Sequence, residues 1–564
     1  MQPWVVALIS FASVVVGILA IAFLLHHHAK KQYSKWLSSP KTPLDVDDFV
    51  SKSINTPNPP KYMKIWFGQK MSIGSRKPSE ETIPLASKES PYVNGLQVTQ
   101  RADARKKNSD DPQQQQQTSN DDDLAELGLL KKDENIKPKP LVIGTIRMGF
   151  GHHRIAYAAC SWALHSNDTN AVFGDNRTTT YFHDLLNIDS DEADLIKSTD
   201  AAYSKMSRIT SNLGGCFEKL WGSFTLSGDA DALRISALTA VHLRPLLKDL
   251  PLDTPLIASH SLVALTAVAA GFTNVINLVI DNHAQWFCVV PGCLNLVQGP
   301  ANYQNFLKMG VPIEQLQLAG HWIPRDVVIN IPQDCQRRID RLVDSNNYKP
   351  RRILIPVGGA GAQRKFICQF VQAMKPLLAE QQVQLFLNAG DHAHMKTAFE
   401  EILQNDLGLA EGQYGTITTI EGVHAFCENL LSGGEPHQAV TLFSFQSDYF
   451  PAVATTDLLI RVSDVLACKP SELAFYPVPK LMIRRVGDHE QFSALRAAEL
   501  NDGTLEAREI DDCTAYMKLF CAAGNCNDDQ HLLKQMNTSI MANHHNGVYD
   551  GCKNAIRAAL KRST

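Results

Sequence analysis

Hydrophobic and polar positions divide the chain into three unlike stretches. Trp4 to Leu25 is an unbroken apolar run without a charge. Residues 26–139 are polar and irregular. From about residue 140 short apolar runs alternate with segments of helical composition. Leu141–Ile146 (LVIGTI) reads as a buried strand feeding the glycine turn Gly149–Gly151, with a helix over Ile155–Leu164. Ile257–Ala258 ends a strand and Ser261–Ala270 is helical. Val275–Ile280 (VINLVI) and Leu294–Val297 are strands, and Asn302–Met309 is a helix. The pattern restarts after Tyr348-Lys349-Pro350. Arg352–Val357 (RILIPV) is a strand, then come the turn Gly358–Gly361 and a helix over Phe366–Leu378. Val383–Leu387, Ala439–Phe443, Asp457–Ile460 and Leu481–Ile483 are further strands, with helices at Ala425–Leu431 and from Ser471. Strands alternating with helices form parallel α/β units. The fold class expected is therefore α/β, two doubly wound Rossmann-like domains facing a cleft, preceded by a transmembrane helix.

The expected organisation is a transmembrane helix over 4–25, a mostly disordered tether over 26–139, an α/β domain over 140–330, a second over 331–525, and a helical tail over 526–564. About 20 apolar residues span a bilayer as a helix. His26–His28, Lys30 and Lys31 follow that run and place the globular part on the cytosolic side. The tether carries a Gln run at Gln113–Gln117 and the acidic Asp121–Asp123, and buries too little apolar surface to order itself.

Composition changes this picture little. In 564 residues the formal net charge is −4, so no basic excess exists to neutralise nucleic-acid phosphates. The twelve Cys lie between Cys160 and Cys552, without a CxxC pair or zinc-like spacing, and suit reduced core thiols. No metal site and no cofactor is expected.

Ligands of open α/β sheets bind beyond the carboxyl ends of the strands. The places to look are the turns at 149–151 and 358–361 and the loops after Ile280 and Ile460. Gly149-Phe150-Gly151-His152-His153-Arg154 is not a dinucleotide fingerprint, and Gly358-Gly359-Ala360-Gly361 is not a Walker loop. Both can present backbone N–H groups to an anion. His152, at a strand–turn–helix mouth, has the chemistry of a general base. Asp281 follows the strand VINLVI. Glu472 and Glu490 open short helices after Pro470 and Gly487.

Taken in order, these segments resemble the monogalactosyldiacylglycerol synthases and their MurG-like relatives, which are GT-B-fold glycosyltransferases. Gly149–Ala156 is similar to their glycine-rich GGGHRASA-type turn. Val279–Trp286 (VIDNHAQW), Gly310–Pro312, Gly320–Pro324, Gly358–Gly361, Ser471–Pro479 and Gly487–Ala494 resemble later family segments. The likeness runs over about 140–525. It implies that His152 is the base for an acceptor hydroxyl and that Asp281 and His283 line the acceptor side. It puts Gly358, Gly359, Gly361 and either Gln363 or Arg364 on the donor diphosphate, and counts Gly149 and Gly151 among the donor-binding residues. Glu472 falls on the ribose and Glu490 on the donor sugar, with His489 a further donor-binding residue. The chain departs from the family at Phe150, where a glycine is usual, and at Ser493, where an Asn is usual. Lys469-Pro470 also runs directly into Ser471-Glu472 without the family's Gly-Gly loop.

The function expected is a membrane-anchored, inverting, metal-independent glycosyltransferase. Its partners would be a nucleotide-sugar donor, a lipid or lipid-linked acceptor, and a membrane. A binding or scaffold protein on the same fold, and a nucleotide-sugar epimerase or hydrolase, are the alternatives.

Overall fold

The computed structural model describes residues 81–102, 139–147, 149–165, 178–194, 239–343, 349–358, 363–446, 449–522 and 531–562, with a few isolated positions besides. The apolar segment 4–25 and most of 26–139 lie outside them. Among the described residues no helix is long and apolar enough to cross a membrane.

The first sheet has eight strands: β1 (Leu85–Glu89), β2 (Gln97–Arg101), β3 (Lys139–Thr145), β4 (Thr178–Asp184), β5 (Leu256–Ala258), β6 (Val275–Leu278), β7 (Leu294–Val297) and β8 (Leu316–Leu318). Their order is β1-β2-β4-β3-β5-β6-β7-β8, and every neighbouring pair except β1/β2 is parallel. The second sheet has β9 (Arg351–Pro356), β10 (Val383–Asn388), β11 (Gly415–Ile417), β12 (Val440–Phe443), β13 (Val465–Cys468) and β14 (Lys480–Met482). It runs β11-β12-β10-β9-β13-β14, all parallel. The expected pair of parallel α/β units is present.

Three expectations need correction. Residues 81–102 are not tether: β1 and β2 form an antiparallel hairpin that extends the first sheet. Neither strand buries an apolar side chain fully, and the buried apolar residues Ile83 and Leu96 flank them, so no apolar run marks them. The dipeptide Asn94-Gly95, with Gly95 at φ 76°, is the turn signal that does. Asp457–Ile460 is not a strand but the end of helix Tyr449–Val462, and the strand is the next apolar run, β13. A short apolar run has no periodicity that separates strand from buried helix. Phe366–Leu378 is two helices, Arg364–Ala373 and Lys375–Ala379, with Pro376 at the start of the second.

The hinge between the units is defined by its bonds. Trp162 Nε1 donates to Ile323 O at 3.0 Å and Trp322 Nε1 to Val279 O at 3.0 Å, pinning the crossover to the first unit. Helix Ile331–Val343 is locked to the second by buried arginines. Arg338 donates to Ile460 O and Ser463 O, and Arg341 pairs with Asp464 at 3.2 Å. The change of allegiance thus falls between Ile323 and Ile331. The tail is shared: helix Leu532–His545 packs on helix Ile331–Val343, while helix Gly551–Arg562 returns to the first unit against helix Phe150–Leu164. Asn554 there donates to Ala319 O at 2.9 Å. One hydrophobic cluster runs through both units and the tail.

Candidate functional site

In each sheet the chain leaves a central strand to one side and then crosses over to continue on its other side. β3 lies between β4 and β5, and β9 between β10 and β13. These are the switch points of the two sheets, and each feeds a glycine turn. The two turns approach the same seam. Gly151 faces Glu472 of the second unit, and Phe150 faces Gly390, just beyond β10.

His152 stands in the first turn of helix Phe150–Leu164. Its Nδ1 is 2.9 Å from Ser259 O at the end of β5. A carbonyl only accepts, so the neutral ring carries its hydrogen on Nδ1 and its lone pair on Nε2. Ser259 is itself held by a 2.8 Å bond from its Oγ to Thr145 Oγ1. The ring of His260 lies 4.3 Å from that of His152, centroid to centroid. His260 caps the helix Ser261–Ala270 by accepting the Leu262 N–H at Nδ1. Burial lowers the pKa of His152, while the Ser259 carbonyl and the carboxylates of Asp281 and Glu472 act to raise it. The ring is thus a neutral base near pH 7 with two anions in range.

Asp281 and His283 follow β6 on the same side of the seam. His283 stacks on Phe492 of the second unit at 4.4 Å, and Asn282 Nδ2 donates to Phe492 O at 3.1 Å. Burial lowers the pKa of His283, Asp281 raises it, and His489 lowers it. An open groove lined by His283, Ala284, Asn305, Lys308, Met309 and Phe492 begins there.

On the opposing side Gly358 O accepts from His392 Nε2 at 3.1 Å. Gly359 and Gly361 lie outside the described residues. Gln363 is buried with φ 67° and donates to Arg484 O. Arg364 turns outward and pairs with Glu401 at 3.3 Å, both about half exposed, away from the seam. Lys469, directly after β13, pairs with Glu490, and its stem lies against Gly358. Glu490 also accepts the Val486 N–H at 2.7 Å. Burial opposes its charge, yet Lys469, His489 and that N–H hold its carboxyl below the usual range. His489 packs against Gly487 within this turn.

Around Phe150 the two units are packed together. Phe150 is 4 % exposed, and a Cβ on Gly390 would meet its ring at 3.0 Å, at a φ of 60° that a side chain strains to adopt. Tyr449 Oη donates to Gly149 O at 2.8 Å. Arg147 lies 3.7 Å over the Tyr449 ring and 3.5 Å from Asp391. Arg154 crosses the seam to Asp457 at 2.8 Å. Burial works against its charge, and Asp457 and Glu472 among others hold its pKa above the usual guanidinium value. The departure at Phe150 therefore has a packing explanation: the ring is the plug between the units.

The structure brings His152, Asp281 and His283 together on the first unit, with Glu472 reaching toward Gly151 from the second unit, which also carries Gly358, His489 and Glu490. His260, Lys469, Tyr449 and Asp457 were missed by the sequence reading. Ser259-His260 and Lys469 each directly follow a short strand, which is a usable signal. Tyr449 and Asp457 sit on a helix whose end was read as a strand.

Residues 95–308 match the family described as "Domain of unknown function (DUF6937)", and residues 311–560 the family described as "Domain of unknown function (DUF6938)". The join falls just before β8, ahead of the hinge. Among curated proteins nothing matches. The solved structures similar to the chain include UDP-GlcNAc 2-epimerase from Neisseria meningitidis bound to UDP-GlcNAc. That likeness has 10 % identity and a TM-score of 0.41, over 75 % of this chain and 100 % of that one. Anabaena Alr3699/HepE in complex with UDP and glucose is similar at 11 % identity and 0.36, over 76 % and 100 %. The E. coli trehalose-6-phosphate protein bound with UDP-2-fluoro glucose is similar at 11 % and 0.36, over 76 % and 99 %.

Proposed function

We propose that this chain is a glycosyltransferase of GT-B architecture, related to the monogalactosyldiacylglycerol synthase and MurG-like group. It would move a sugar from a nucleotide-sugar donor to a hydroxyl acceptor. The observation that carries the reading is His152: an imidazole at a switch point, tautomer set by Ser259 O, with the carboxylates of Asp281 and Glu472 acting to raise its pKa. Such a ring can take the proton from an acceptor hydroxyl as it attacks the anomeric carbon, which inverts that centre. The leaving diphosphate would lie near Gly358 with Lys469 beside it, where N–H dipoles and an ammonium offset the charge that develops. That path places no demand on a metal ion. Asp281 and His283 stand on the acceptor side. The groove from His283 to Lys308 supports an acceptor larger than a simple sugar. The apolar run 4–25 supports a membrane anchor, a cytosolic-facing enzyme and a lipid or lipid-linked acceptor.

The test is a thermal-shift series on the full-length chain with UDP, GDP and their sugars, followed by donor turnover with lipid acceptors. Stabilisation by one nucleotide and transfer that fails in His152→Ala support the reading. A His152→Ala chain that folds, binds donor and turns over fully overturns the assignment of the base. Release of free sugar or of an epimer without a glycosylated product identifies a hydrolase or epimerase instead. A scaffold role is the second reading, and the packing of the units at Phe150 and the Lys469–Glu490 pair favour it. No shift with any nucleotide would select it.

A further inference from the structure

The resemblance puts Glu472 on a nucleotide ribose, but the carboxylate points elsewhere. A Cβ placed on Gly151 would lie 3.2 Å from Glu472 Oε2 and 3.3 Å from its carboxyl carbon. Its other oxygen, Oε1, is 3.9 Å from Arg154 Nε. One oxygen therefore faces the first turn of helix Phe150–Leu164, the turn that carries His152, and the other faces the Arg154 guanidinium. That helix has no side-chain cap and no acidic residue in its first turn, so the carboxylate meeting it comes from the other unit.

Charge balance gives this contact a purpose. Arg154 and Asp457 form a neutral pair at 2.8 Å. With Glu472 also 3.9 Å from Arg154, the three groups carry one negative charge in excess, and Glu472 and Asp281 both act to raise the pKa of His152. The other titratable neighbours of His152 are His153 and His260. His153 faces Asp184 at 3.1 Å, and His260 is driven well below its ordinary pKa by burial and by His152. Neither supplies a negative charge to the ring.

We propose that Glu472 is a positioning residue for His152, an anion from the second unit that stabilises the imidazolium formed when the ring takes a proton. The base is then complete only when the two units are closed, because one of its two anions belongs to the opposite one. This rests on the reading of His152 as the base, but its test does not require turnover. Glycine at 151 is part of the arrangement, since it lets the carboxylate approach the helix backbone.

The experiment is a proton titration of His152 in the full-length chain by NMR of 13C-labelled histidine, with the resonance assigned by its loss in His152→Gln. Glu472→Gln should lower the His152 midpoint by about one pH unit. Gly151→Ala should lower it in the same direction, because the new methyl pushes the carboxylate away without altering its charge. Alanine also suits a helix better than glycine, so this second variant is expected to fold. UDP affinity by calorimetry should change less than about twofold in Glu472→Gln. An unmoved midpoint in both variants overturns the proposal, and so does a tenfold loss of UDP affinity in Glu472→Gln, which is what a ribose ligand would give. If the unaltered chain binds neither UDP nor GDP nor their sugars, the proposed function falls and the titration alone decides this inference.

Discussion

The Arg154–Asp457 pair is the sharpest mechanical test of the packed seam. Arg154 belongs to the first unit and Asp457 to the second. Their side chains are 3 % and 17 % exposed and 2.8 Å apart. At an effective dielectric of about 20, two unit charges at that distance attract by about 6 kcal/mol. Desolvation cancels much of this, so the net value of the pair is small, while removing one partner is costly. Asp457→Asn leaves a buried guanidinium with Glu472 at 3.9 Å as its remaining close anion. The expected loss is about 3 kcal/mol, at the low end for a broken buried pair because Glu472 and the Asn carbonyl offer partial substitutes. Arg154→Met should cost less, about 1–2 kcal/mol, since Asp457 retains some access to water. The double variant should cost less than the sum by at least ~1.5 kcal/mol, as residues in one ion pair couple. Urea unfolding of the full-length chain, followed by tryptophan fluorescence, measures all four corners of the cycle. Single losses below about 0.5 kcal/mol that add without coupling would show that the pair does not hold the seam.

Other consequences are equally open to measurement. Phe150→Ala removes the plug against Gly390, His392 and Tyr449 and should cost about 3–5 kcal/mol in urea unfolding, with a larger radius of gyration in small-angle scattering as the units part. Tyr549→Phe strips the hydroxyl that donates to Asp502 Oδ2 at 2.9 Å in a fully buried site, and should cost about 1–3 kcal/mol by the same assay. Asp464 gives a pH dependence. Burial alone would raise its pKa, but Arg341 and the Arg352 N–H hold it below the ordinary 3.8. A depressed carboxyl contributes stability above its unfolded pKa and loses it as pH falls through the folded value. The stability gap between the unaltered chain and Asp464→Asn should therefore be full above about pH 4–5 and shrink as the pH falls further. A gap that widens on acidification would refute the assignment.

Much of the architecture was legible because it depends on local chemistry. Apolar runs such as Leu141–Ile146 and Arg352–Val357, each closed by glycines, are the buried central strands of parallel sheets, and their repetition identifies two units. The same turns located the seam, and His152, Asp281, Glu472 and Glu490 were singled out by their place at strand ends. The edge hairpin was harder to see, since an edge strand needs few apolar positions. Asp457–Ile460 was misread because four apolar-rich residues carry no period.

The direction in which each side chain points belongs to the tertiary structure. Sequence order places Glu472 at a helix start beside a cleft, but not which wall it faces; the approach of Gly151 decides that. Arg364 and Gln363 are neighbours in sequence, yet one turns to a surface carboxylate and the other is buried on Arg484 O. Phe150 looked like a departure from a glycine motif and is a plug across the seam. By itself the sequence determined the fold class and the switch-point turns, which follow from the period and burial of nearby residues. Only tertiary packing decided the partners of His152, Arg154 and Lys469. Those partners lie across the seam or in a different loop, and no local pattern encodes a contact of that kind.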